Sequence, residues 1–245
     1  MDRMTDEPLK LECEGRVAVI TLTRPDRRNA LDATVCTALT QALTDAMASD
    51  VRAVLLRGDG PVFCAGANLK GGVYADGFFT ALETMLTTVT DLPVPVIADI
   101  QGPAVGAGCQ LALACDLRVM GEDARLWVPA VHHGFALDPW TVARAVELLG
   151  GSVARNMLVA GATVGQATAS ATGFATAVGT PAEALAFAHR VAAQAPLPTA
   201  WFKKALNHPG APGLEAEALA CWASRDVQEA RDARAENRTP VFEGR

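Results

Sequence analysis

The chain has 245 residues, half of them hydrophobic and 20% charged, which is ample for one domain with a sizeable core and marginal for two. A formal net charge of −6 argues against nucleic acid or an anionic membrane as a default partner, while local Arg and Lys can still hold a small anion. Six cysteines without a C-x-x-C pair or a histidine at ligand spacing exclude a zinc site and a disulfide scaffold, and read as reduced thiols packed as small hydrophobes. The opening MDRMTDEPLK has no apolar core, and the longest apolar stretches are interrupted well short of a membrane span. A cytoplasmic protein without a metal is expected.

Two alternating runs, Leu9–Cys13 and Val17–Leu22, flank Glu14-Gly15 and predict a hairpin. Leu31 to Met47 carries apolar residues at helical spacing. Ala53–Leu56 reads as a strand closed by Gly58-Asp59-Gly60, Phe79 to Val89 as a helix, and Pro93 to Ala98 as a buried strand entered through prolines. Leu117–Met120 and Leu126–Val128 read as short strands. Pro139 to Leu149 is a helix stopped by Gly150-Gly151, and Ala182 to Ala193 is another. From Pro198 onward the composition is helix-forming. The alternation predicts an α/β fold with right-handed crossovers and a helical tail.

Two glycine-containing loops carry the functional signal. In GPAVGAGCQLALACDLRV (102–119), Gly102, Gly106 and Gly108 precede an apolar helix, an arrangement that lets a ligand approach bare N–H groups. VFCAGANLK (62–70) follows the strand at 53–56. Together with RPDRRNAL (24–31) and APLPTAWFKKALN (195–207), these loops resemble the enoyl-CoA hydratase/isomerase (crotonase) family over nearly the whole chain. The resemblance implies a crotonase-like spiral of β-β-α units over 1–195 and a C-terminal helical trimerisation region over 196–245. It implies acyl-CoA as ligand, with the coenzyme A thioester as substrate rather than a separate cofactor. A homotrimer or a hexamer of two trimers is implied as well. By the same resemblance, backbone N–H groups of Ala67 and Ala107 meet the thioester oxygen. Fixed dipoles at that place stabilise the negative charge of an enolate. Arg28, Ala65, Ala67, Asn68, Leu69 and Lys70 would hold the coenzyme, and Lys203 and Lys204 could reach a neighbouring subunit's nucleotide.

Hydratases of this family use two glutamates, and the matching positions here are Gln110 and Ala130. Neither side chain exchanges a proton near neutral pH. Asp138, eight residues after Ala130, matches a working aspartate in some isomerases and dehalogenases of the family, while Asp-Pro also reads as a helix N-cap. His132 and His133 lie nearby; if the backbone is extended there, at most one faces the pocket. The pattern with both glutamates gone resembles a non-hydratase branch found in mycobacteria. It implies an acyl-CoA-binding protein of lipid metabolism that passes acyl chains to partners such as fatty-acid-synthesis enzymes. The alternative is an isomerase or thioesterase-like enzyme using Asp138.

Overall fold

The computed structural model describes residues 7–68 and 77–245. The hairpin is present as β1 (Leu9–Glu14) and β2 (Val17–Leu22), antiparallel from Leu9 opposite Leu22 to Glu14 opposite Val17. From β2 onward the pairing is parallel. β3 (Ala53–Gly58), β4 (Val96–Ile100), β6 (Leu117–Met120) and β9 (Ala177–Val178) extend the same sheet to six strands in the order β1-β2-β3-β4-β6-β9. Parallel neighbours need crossovers, and α1 (Ala33–Ala46) and α2 (Phe78–Asp91) supply the first two.

A second, shorter layer is formed by β5 (Pro103–Val105), β7 (Arg125–Trp127) and β8 (Val164–Gly165). It continues past β5 through single bridges, Cys64 to Ala104 and Leu31 to Ala67. Successive turns of chain therefore repeat one plan. β3, the Cys64 bridge and α2 make one turn, and β4, β5 and α3 (Ala107–Ala114) make the next. β6, β7 and α4 (Ala130–His133) follow. This is the β-β-α spiral.

Alternation along the strands sorts the core into two. Ala18, Ile20, Val54, Leu56, Ala98 and Ile100 face α1 to α3 in the main core, while Val17, Val19, Leu55 and Ile97 meet Ala184, Ala188 and Ala192 of α8 (Pro181–Ala192). Four of the cysteines, Cys36, Cys64, Cys109 and Cys115, are buried, and burial pushes each thiol up to about 12. Cys13 is exposed.

The structure refines the sequence reading locally in three places. Pro103–Val105 is a strand, because Val105 N–H donates to the Cys64 carbonyl at 2.9 Å and the helix begins only at Ala107. His132 and His133 sit on the short helix α4 rather than on extended backbone. α5 (Pro139–Leu149) ends at Gly150 as expected, and Gly151 opens a further helix, α6 (Gly151–Val159), directly after it. Beyond α6 come α7 (Gln166–Ala171) and, in the tail, α9 (Pro196–Asn207), α10 (Leu214–Ala223) and α11 (Arg225–Ala235). No described helix is long and apolar enough to cross a membrane.

Candidate functional site

The two glycine loops lie against each other, backbone on backbone. A Cβ on Gly66 (φ +88°) would stand 2.4 Å from the Val105 carbonyl oxygen and 3.3 Å from the Ala107 nitrogen. One on Gly108 would stand 2.3 Å from the Cys64 carbonyl oxygen. Only glycine permits this approach. Leu31 N–H donates to the Gly66 carbonyl at 2.7 Å, and Asn68 N–H donates to the Leu31 carbonyl at 2.8 Å. Leu31 therefore takes the groups on either side of Ala67, whose own N–H points to the opposite side of the strand. Ala107 is the first residue of α3, so its N–H lies among the donors that have no partner within the helix. Gly106, at φ 52° and ψ −116°, turns the chain into that helix. The structure thus brings Ala67 and Ala107 to adjoining backbone.

Arg28 joins the same loops through its backbone, since Ala65 N–H donates to the Arg28 carbonyl at 3.0 Å. Arg28 and Asn29 both adopt positive φ (53° and 54°), a tight turn held by the buried Asn29 side chain. Its amide donates to the carbonyls of Asp59 (2.9 Å) and Val62 (2.7 Å), and its oxygen accepts from Arg24 N–H. Arg28, Ala65, Ala67 and Asn68 are therefore neighbours, whereas Leu69 and Lys70 lie outside the described residues.

Asp138 caps α5, its Oδ1 accepting from Thr141 N–H at 2.9 Å. Oδ2 is engaged as well: Thr141 Oγ1 donates to it at 2.6 Å and Gln110 Nε2 at 3.1 Å. Gln110 Nε2 also lies 2.7 Å from Thr141 Oγ1. Gln110 and Thr141 are both buried. Gln110 is thus tied directly to Asp138, the candidate aspartate. The sequence pointed to Gln110 and Asp138 separately and missed Thr141, the residue that joins them. The signal was its place three residues after an N-cap. Ala130 begins α4 and packs in the same core as Ala67 and Ala107. A Cβ on Gly106 would come within 4.0 Å of Pro129, so the α4 entry borders the α3 start.

Other candidates are engaged elsewhere. The His132 ring lies against Gly161, where a Cβ would be 2.4 Å from Cε1, and His133 stacks on Phe135 at 6.2 Å. Lys203 is buried: its Nζ donates to the carbonyls of Val89 (2.8 Å) and Val94 (2.9 Å) and pairs with Asp116 at 2.7 Å. It anchors the tail and is not available to a nucleotide. Lys204 pairs with Glu217. The sequence also gave no reading of the residues that hold the far end of α3. Arg118 donates to the carbonyls of Cys115 (2.8 Å) and Asp116 (3.1 Å), and Arg144 to that of Leu113 (3.1 Å). Burial lowers the Arg118 guanidinium to about 10, which leaves it charged at neutral pH. Two cations at the C-terminal end complement the dipole of a wholly buried helix whose other end is the Ala107 N–H.

The family model for enoyl-CoA hydratase/isomerase matches residues 12–245. "Probable enoyl-CoA hydratase echA6" of Mycobacterium tuberculosis is 41% identical over 233 residues, covering 93% of this chain and 96% of that protein. An enoyl-CoA hydratase-like protein of Thermus thermophilus is 37% identical over 235 residues, covering 89% of this chain and 92% of that protein. Among solved structures, an enoyl-CoA hydratase/carnithine racemase from Magnetospirillum magneticum superposes with a TM-score of 0.88 at 29% identity, covering 98% of this chain and 96% of that one. The enoyl-CoA hydratase of Bacillus anthracis gives 0.87 at 27% identity, covering 98% of this chain and all (100%) of that one. The chain belongs to the enoyl-CoA hydratase/isomerase family.

Proposed function

We propose that this protein binds acyl-CoA thioesters in the cradle of Ala67 and Ala107 and does not hydrate them. The observation that carries this reading is the Gln110–Thr141–Asp138 network. An amide stands where a hydratase needs a carboxylate, and the nearest carboxylate has hydrogen bonds on both oxygens. Ala130 supplies only a methyl group at the second position. Loss of both acids removes proton transfers each contributing roughly 10²–10⁴-fold. Arg28 serves the coenzyme phosphates, with Ala65 and Asn68 beside it, and Leu69 and Lys70 are assigned to coenzyme binding as well. Binding without turnover fits a carrier that hands acyl chains to enzymes of fatty-acid synthesis. The exposed Phe202, Leu206, Leu219 and Trp222 of the tail suit a buried interface in a homotrimer or hexamer.

An isomerase or thioesterase using Asp138 remains the competing reading, favoured by the 3.1 Å contact that keeps this carboxylate beside Gln110. A crotonyl-CoA assay separates the two from a hydratase. The wild type is expected at background, while Gln110→Glu with Ala130→Glu, made in an Asp138→Asn background, raises hydration. Rapid hydration by the wild type contradicts the proposal. Turnover of any acyl-CoA that disappears in Asp138→Asn supports the competing reading.

A further inference from the structure

Beneath α10 the chain leaves a cavity of about 490 Å³, walled by Leu92 and Pro93 at the α2–β4 corner, Leu197, Ala200 and Trp201 of α9, and Ala220 of α10. An apolar cavity of roughly 150 Å³ already takes up benzene. The polar atoms along this wall are spent. Lys203 Nζ is held by the Val89 and Val94 carbonyls and by Asp116, and Trp201 Nε1 donates to the Leu214 carbonyl at 2.8 Å. At the rim Lys204 pairs with Glu217, and His208 with Asp91. Every charged side chain of the wall thus has a partner among the described residues. A water placed there finds few of the polar partners it needs. α10 itself has Glu215 and Glu217 as its only charges in ten residues, yet none of the ten is buried. A helix apolar on all sides needs cover on all sides. Leu219 and Trp222 lie exposed, while Ala220 faces the cavity. The cavity is separate from the cradle: Lys203 reaches Asp116 just past the C-terminal end of α3, and Ala107 opens the other end, about 12 Å away along the helix.

We propose that this cavity is a second binding site, for a neutral apolar molecule of the medium-chain alcohol class. Its affinity comes from taking the apolar surface of ligand and wall out of water. Its selectivity comes from charge. Because Lys203, Lys204 and His208 already face Asp116, Glu217 and Asp91, an anionic head group must break one of these pairs or enter unpaired. Burying an unpaired charge is costly, so the alcohol is taken and the carboxylate of the same chain length is refused. The recess is enclosed by α9, α10 and the α2–β4 corner, a concave shape that fits a small molecule and leaves the outer side of α10 to a second copy of the chain. The bound molecule covers the inner side of α10, which the protein alone leaves open.

The test is calorimetric titration of the full chain with 1-octanol and with octanoate. Saturable binding of 1-octanol is expected, with octanoate weaker by about tenfold or more. Ala200→Phe and Ala220→Phe fill the cavity from opposite walls. Each should weaken 1-octanol by about tenfold while the melting temperature holds or rises, because the added ring occupies a void. Crotonyl-CoA should leave the 1-octanol affinity unchanged. The absence of saturable heat from 1-octanol in the wild type overturns the proposal, and so does binding that survives both fillings or that crotonyl-CoA displaces. Octanoate binding as tightly as 1-octanol overturns the assignment to a neutral ligand. If 1-octanol does not bind and both fillings break the assembly in sedimentation, the cavity belongs to a second copy and the proposal falls. Failure of crotonyl-CoA to bind counts against the cradle alone.

Discussion

Asp138 illustrates how one side chain can fill two descriptions. As a cap it accepts the Thr141 N–H, and Asp138→Ala should cost about 1 kcal/mol of unfolding free energy, whereas Asn retains the oxygen and should be close to neutral. Thermal melts of the two variants decide this. A second prediction follows from the Oδ2 contact. Gln110→Glu places a carboxylate about 3 Å from another, where two like charges cannot both ionise easily. The pair then shares a proton, with one folded-state pKa raised, so the variant's stability relative to wild type should fall as pH rises from 5 to 8. Adding Asp138→Asn should abolish that slope. Asp99 gives an independent pH prediction. Burial raises its carboxyl, partly offset by the Gln101 amide at 2.6 Å and the Arg57 charge, and Oδ2 is buried with no partner among the described residues. A raised folded-state pKa means that the folded protein binds the proton more tightly. Its destabilising effect is absent below the ordinary carboxylate range and grows as pH climbs through it. Asp99→Asn should raise the melting temperature at pH 8 and change it little at pH 4; the opposite ordering would refute the account.

At the scale of elements, the meeting of the two glycine loops was legible because glycine spacing is a backbone signal. Gly66 and Gly108 announce close approach, and the structure presses both against carbonyl oxygens. Gly66→Ala adds a Cβ 2.4 Å from the Val105 oxygen at φ +88°, and should lower stability by about 2 kcal/mol or more and weaken acyl-CoA binding. Gly173→Ala provides the control, since its φ of +76° is similar but a Cβ there meets nothing within 4 Å. It should keep ligand affinity. Side-chain partnerships were less legible. Nothing in the local pattern ties Gln110 to Asp138, because 28 residues and two strands separate them and only the spiral returns α5 to α3. The strand at Pro103–Val105 was hidden for a similar reason: its hydrogen bonds go to Cys64 and β7, which are remote in sequence.

Over the whole molecule, the parallel sheet followed from alternating strand and helix signals, and the hairpin from one turn. Of the small second layer only β7 was legible, as the short strand expected at Leu126–Val128; β5 and β8 are two or three residues long and carry little periodicity. Lys203 shows the same limit in the tail. The resemblance assigned it to a neighbouring subunit's nucleotide, yet three hydrogen-bonding partners, the Val89 and Val94 carbonyls and Asp116, hold it buried. Lys203→Met should cost about 3 kcal/mol by leaving Asp116 without its cation, and Asp116→Asn in addition should recover part of that loss in denaturant titrations. The central claim is that a working thioester cradle here lacks the acids of hydration. Injection of crotonyl-CoA into the wild-type protein in a calorimeter reads binding and turnover in one run. The account predicts a saturable binding heat that returns to baseline after each injection. No saturable heat, or a sustained heat of hydration after each injection, would contradict it.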